Sequence, residues 1–251
     1  MIHGTWRDLA CELDAWAASG QRATLWWRDD DAVARTSALD RLFDTAGPVP
    51  VALAVIPAKL EDSLVARPPR WVLQHGYSHQ NHAPDNAPKM ELGPHRPFPH
   101  TLADLATGRA RLEAAFGAAA RPMLVPPWNR IAPGLVPLLP EIGFTGLSTL
   151  GPRTRAQAVR GCAQANVHVD IIDWRGSRGF AGEDTCLGTL VAHLAARRQG
   201  GAQADEPSGV MTHHLVHDGA CWAFLERLVA ETADHPGARW LDAGAVFAVT
   251  P

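Results

Sequence analysis

Apolar residues first recur at helical spacing: Trp6, Leu9, Leu13 and Trp16 lie three or four positions apart, with Thr5 placed as a cap and Gly20 as a stop. The period then changes. Ala23 to Arg28 is short, rich in β-formers, and runs straight into Asp29, Asp30 and Asp31, which predicts a strand ending in three acids. Thr36 to Ala46 predicts a helix closed by Gly47, and Val49 to Ile56 is nearly all apolar, as in a strand buried on both faces. A short helix over 58–66 and a third strand from Trp71 to Gln74 follow, and the strand leads directly into His75. Residues 83–100, rich in proline and carrying His95 and His100, read as a long irregular loop, a feature that in compact domains is usually functional or disordered. Thr101 then reads as the cap of a helix reaching Phe116.

Further strands are predicted over 122–126, 144–149, 167–172 and 209–213, with helical patterns over 133–139, 184–198 and 218–233 and a surface loop over 199–208. Strand and helix thus alternate about seven times, which argues for a parallel α/β architecture. The expectation is one domain over residues 1–251, folded as a distorted (β/α)7 barrel. In a barrel, chemistry collects at the carboxyl ends of the strands. Five polar groupings fall there: Asp29 to Asp31, His75 with His79, Trp128-Asn129-Arg130, Asp173-Trp174, and His213-His214.

Charge narrows the partners. With 23 basic and 26 acidic residues the formal charge is -3, and no basic run suggests a nucleic-acid partner. No stretch is apolar enough for a transmembrane segment, and the first residues lack the features of a signal peptide, so a cytoplasmic protein is expected. Cys11, Cys162, Cys186 and Cys221 have no zinc-ligand spacing and imply no disulfide framework; Cys11 and Cys221 fall in helical patterns that predict small buried thiols.

His75 and His79 are four residues apart, so on a helical turn both rings would project from one face and could hold one metal ion. A carboxylate from Asp29 to Asp31 would complete a facial set. Adjacent carboxylates repel unless a cation or proton compensates them. One bound to a metal, with its neighbour taking a proton from water, would make a hydrolytic base; Asp31 is also placed to cap the next helix. One of His213, His214 and His217 could serve as general acid, and the pattern does not choose among them. Asp173, ahead of Asp170, is the candidate to orient that histidine, and Trp174 could wall a sugar pocket. The run Pro126 to Arg130 could form the opposite wall, with Asn129 or Arg130 bonding the base or a substrate group, or it is a proline-fixed turn.

As a set and in this order, these segments resemble the five motifs of the polysaccharide deacetylases of carbohydrate esterase family four. The resemblance implies a distorted barrel of about seven strands. It makes Asp29 the catalytic base and Asp30, His75 and His79 the metal ligands. It makes His213 the acid oriented by Asp173, with Trp128, Asn129, Arg130 and Trp174 at the substrate. The implied cofactor is a divalent metal, zinc first, with cobalt, nickel or manganese as alternatives. Three departures matter. Asp31 stands where the family has glycine, which leaves open a register with Asp30 as base and Asp31 as ligand. Gly76 replaces a hydroxyl residue of the histidine loop. Val125 stands in place of the arginine that partners the base, leaving Arg130 or Arg28 as substitutes. The function implied is removal of an N-acetyl group from an amino sugar or sugar-containing precursor, with a small-molecule or oligosaccharide substrate. The alternatives are a catalytically silent carbohydrate-binding protein on the same fold and an amidase for a non-sugar amide. Oligomeric state is not set by the sequence.

Overall fold

The computed structural model describes residues 3–248. Thr5 caps helix α1 (Trp6–Ala18) through a capping box, its hydroxyl accepting from Asp8 N while the Asp8 carboxylate accepts from Thr5 N. Strand β1 (Ala23–Ala32) follows, then α2 (Ser37–Ala46), which starts at a Thr36 cap and stops at Gly47, where φ is 54°. Next come β2 (Val51–Val55), α3 (Asp62–Ala66) and β3 (Val72–His75).

Helix α4 (Phe98–Phe116) begins earlier than the expected Thr101 cap. Pro97 occupies the cap position and Pro99 the first turn, where a missing N–H costs little, so Thr101 is buried inside the helix. After β4 (Ala120–Val125), the expected helix over 133–139 is reduced to two tight turns, Val136–Leu138 and Pro140–Ile142, because Pro137 and Pro140 each remove a donor.

Beyond β5 (Gly146–Leu147), a hairpin of β6 (Gln157–Val159) and β7 (Cys162–Gln164) appears that the sequence pattern did not announce. Three-residue strands are too short to show alternation. The remainder is β8 (Val169–Asp170), α5 (Glu183–Arg198), β9 (Ser208–Thr212), α6 (Gly219–Thr232) capped by Asp218, β10 (Ala238–Trp240) and α7 (Ala243–Val246). Cys11, expected inside, is exposed on α1, whereas Cys221 is buried.

The strands form one sheet in the order β6-β7-β5-β4-β3-β2-β1-β9-β8, with β10 on the first residues of β1. Every pairing is parallel except β6 with β7. The architecture is α/β, and the ladder of regular strands is open, ending at β6 and β8. Between those ends runs an irregular segment: Val167 N donates to Thr149 O and Gly151 N to Val167 O, while His168 N donates to Gly209 O.

Strand β1 shows how the site is positioned. Ala23, Leu25 and Trp27 pack in one cluster with Leu9 and Leu13 of α1, Leu39 of α2 and Leu225 of α6. Trp26, pointing the other way, joins Ala54, Leu73, Val125 and Met211 on the opposite face, which α7 closes with Phe247. Arg28 and Asp30 follow Trp26 in the period of two and are therefore delivered to that inner face. No helix among the described residues is long and apolar enough to cross a membrane.

Candidate active site

The three acids of β1 do not share one environment. Pairing of β1 with β2 slips between Asp29 and Ala32, and Asp31 takes a φ of 68°, so a bulge interrupts the alternation. Asp31 lands in the same cavity as its neighbour Asp30, where a regular strand would have turned it away. There its Oδ1 lies 3.1 Å from Nε2 of His75 and 3.2 Å from Nε2 of His79. The acid that closes the cluster with the two histidines is thus Asp31, and not Asp30. This is the alternative register.

His75 ends β3, and its Nδ1 donates to Val125 O at 3.0 Å, which fixes the tautomer and frees Nε2 as a lone pair. Burial works against charge on His75, yet the carboxylates of Asp30 and Asp31 raise its pKa above the ordinary value. At His79, burial outweighs the attraction of Asp31 and lowers the pKa to about 4. Burial pushes the Asp31 carboxyl upward, but the imidazoles hold it well below the usual carboxylate range.

The two histidines were expected on a helical turn. They sit instead on a loop wound around one buried carboxylate: Glu91 accepts from the backbone N–H groups of Tyr77, Ser78 and His79, and from the Ser78 hydroxyl. Gly76 is required for this winding. Its φ is 55°, and a Cβ there would fall 2.1 Å from the Glu91 carboxylate and 2.6 Å from Pro127. Glu91 therefore does the steadying work expected of a hydroxyl at position 76.

Asp30 has another partner. The guanidinium of Arg28 grips it with two bonds, Nε to Oδ1 at 2.8 Å and Nη2 to Oδ2 at 2.9 Å, both side chains being almost wholly shielded from solvent. Arg28 also donates to Ser148 Oγ and to Asn129 Oδ1, each at 2.7 Å. The guanidinium absent at Val125 is supplied from within β1. Of the two substitutes considered, Arg130 lines the cavity without bonding Asp30 and donates to Lys89 O.

Asp29, expected as the base, faces the helices. Its Oδ2 accepts from the Thr212 hydroxyl at 2.6 Å and from His214 N at 3.0 Å, and its Oδ1 meets Nδ1 of His214 at 2.5 Å. Burial opposes this ion pair, yet the partners reinforce each other: Asp29 is lowered and His214 raised from their ordinary pKa values. The residues on both sides of His213 are thereby clamped to β1.

His213 itself lines the cavity, with Nδ1 buried and unpartnered and its ring edge-on to Trp174 at 4.7 Å. Asp173, expected to orient it, is occupied elsewhere, accepting from the N–H groups of Arg175, Gly176 and Ser177 in a turn. Asp170 faces the cavity in its place. Its carboxylate accepts from Ile172 N and the Trp174 indole, and burial raises its pKa although the charge on His213 works the other way. Opposite stands Trp128, with a φ of 54° and its ring 4.3 Å from that of His79.

The donor set of Asp31, His75 and His79 fits a metal on its own geometry. Two imidazole nitrogens converge on Asp31 Oδ1, an oxygen that is buried and lacks a hydrogen bond. Donors held tetrahedrally by zinc sit roughly 3.3 Å apart, close to the separations seen.

No protein-family model and no curated protein matches the sequence. Solved structures match by shape. A Mycobacterium smegmatis protein assigned as a polysaccharide deacetylase superposes with a TM-score of 0.60 at 15% identity, covering 90% of this chain and 89% of its own. The Bc1960 peptidoglycan N-acetylglucosamine deacetylase gives 0.55 at 15% identity, over 91% and 90% of the two chains. The T48 deacetylase, solved with substrate, gives 0.52 at 15% identity over 94% of each. The chain has the fold of the polysaccharide deacetylases.

On that deacetylase fold, the residue that sequence reasoning passed over is Glu91, and Arg28 was left as one of two possible partners of the base. An arginine inside an otherwise apolar strand was a signal, since a buried guanidinium demands a partner. Glu91, twelve residues beyond His79 in an irregular loop, gave none.

Proposed function

We propose that this protein is a metal-dependent hydrolase that removes an acetyl group from the nitrogen of an amino sugar. The observation that carries the reading is the convergence of Asp31, His75 and His79 beside a second acid, Asp30, in one open cavity. A divalent ion held by these three, zinc by its donor set, would supply Lewis acidity, polarising the acetamide carbonyl and easing deprotonation of water. Asp30, aimed by the Arg28 fork, takes the proton of the attacking water. His213 holds a nitrogen free to deliver a proton to the departing amine. Trp128 and Trp174 present faces on which a pyranose ring packs.

Acetate release from N-acetylglucosamine oligomers tests the proposal, run with and without chelator. Activity lost to chelation and restored by Zn2+ supports it. Undiminished release from metal-free protein, or none from any N-acetylated sugar with metal bound, sinks it.

A further inference from the structure

Four cations stand around the mouth of this site. Lys89, Arg130, Arg175 and Arg178 line the same cavity of ≈ 500 Å³ as the histidine-aspartate cluster. They arrive on three separate segments: the proline-rich loop before α4, the turn after β4, and the loop after β8. Among the described residues, none of the four lies within 4.0 Å of a carboxylate oxygen in an ion pair.

The acids nearby are already engaged. Asp30 is gripped by Arg28, Asp31 faces His75 and His79, and Asp170 accepts from Ile172 N and the Trp174 indole. Asp173, on the same loop as Arg175 and Arg178, turns its carboxylate to backbone N–H groups. The chain carries a formal charge of -3, so this rim runs against the molecule's overall sign. Like charges gathered at one opening repel one another and attract an anion. Three guanidinium forks and an ammonium match the oxygens of a phosphate or a carboxylate.

We infer that the acetylated sugar taken at this site bears an anionic group apart from its acetamide, a phosphate ester or a carboxylate, and that the rim cations select it. The inference rests on the deacetylase reading and adds the substrate's charge to it.

Binding by metal-stripped protein, in which a phosphate has no ion to ligate, is the test. Ligand-observed NMR titration compares N-acetylglucosamine, N-acetylglucosamine 1-phosphate and N-acetylglucosaminuronic acid. At least one of the anions should bind roughly tenfold tighter than the neutral sugar or better, the worth of one charged hydrogen bond. The gain should vanish in the Arg175→Ala/Arg178→Ala double variant and shrink as salt is added. Whichever anion gains identifies the charge selected. The inference is overturned if neither anion gains, or if the double variant keeps the gain while remaining folded by circular dichroism. Acetate release from the same three sugars by metal-loaded protein is read separately. Release without an anion preference sinks only the present inference, and an anion preference without release sinks only the hydrolase.

Discussion

Two clusters in this molecule have the same chemical composition, two histidines and a carboxylate: Asp31 with His75 and His79, and Glu206 with His168 and His193. The difference between them lies in one hydrogen bond. His75 donates from Nδ1 to a carbonyl, so its Nε2 is a bare lone pair. His168 accepts at Nδ1 from Gly209 N–H at 2.9 Å, so in the neutral ring the proton sits on Nε2, which faces Glu206 Oε1 at 3.4 Å. The first histidine offers electrons to a cation and the second offers a proton to an acid. The second cluster also has its rings stacked at 3.5 Å on a fully buried carboxylate, whereas the Asp31 side chain of the first is 32% exposed and lines a cavity. Ligand type and spacing identify both groups as candidates; the backbone behind the ring decides between them.

The largest expected effect comes from breaking the first cluster. His79→Ala should lose the bound metal and cut acetate release by about 10³-fold or more, because the ion is worth several kcal/mol in the transition state. His193→Ala should leave metal stoichiometry unchanged, and elemental analysis of the two variants is the direct comparison. Loss of one metal equivalent from the His193 variant would erase the distinction drawn above.

Removing Arg28 should cost about 3–5 kcal/mol of stability, since Asp30 would be left buried without its counter-charge. Urea unfolding of Arg28→Met measures this. The Arg28→Met/Asp30→Asn double variant should recover part of the loss.

Glu206 sharpens the contrast through pH. Burial opposes its charge, but His168 and His193 together with Arg153 N–H lower its pKa from 4.5 to about 2. A depressed carboxylate stabilises the fold above its unfolded value and loses that contribution as pH falls through its folded one. The wild type should therefore exceed Glu206→Gln by up to about 3 kcal/mol near neutrality, and the gap should close between pH 4.5 and about 2. A gap of the same size at both ends would rule out this assignment.

The smallest effect expected is that of Asp29→Asn. It should retain the metal and its KM, while kcat falls roughly tenfold as the clamp on either side of His213 loosens. His214 is raised in pKa by Asp29, so its ionic contribution to stability is complete below the ordinary histidine value and fades as pH rises past the elevated one. The stability difference between Asp29→Asn and wild type should narrow accordingly in alkaline buffer.

Much of the fold was legible because each signal was local. Thr5 caps the helix it was expected to cap, and His213 follows its strand as expected while His75 ends the strand it was expected to follow; the helix after β1 is capped by Thr36 and not, as expected, by Asp31. What escaped depends on contacts distant in sequence or on a change of phase. Alternation along β1 would send Asp29 and Asp31 to the same face; only the bulge, set by pairing with β2, separates them. Asp170 and Asp173 differ by three positions, and the turn after β8 alone determines which one faces the cavity. The β6–β7 hairpin and the Glu91 anchor rest on short or irregular segments that carry no period to read.

The slip in β1 has a consequence for how this site can change. Because two consecutive carboxylates share one chamber, their duties are separated only by what stands behind each, a guanidinium for one and a pair of imidazoles for the other. Loss of a single codon between Arg28 and Asp31 would leave an acid two positions beyond the guanidinium but put alanine where the acid of the histidine cluster stands, without altering any neighbouring strand. Small deletions here should therefore abolish turnover far more often than conservative replacements at the same positions.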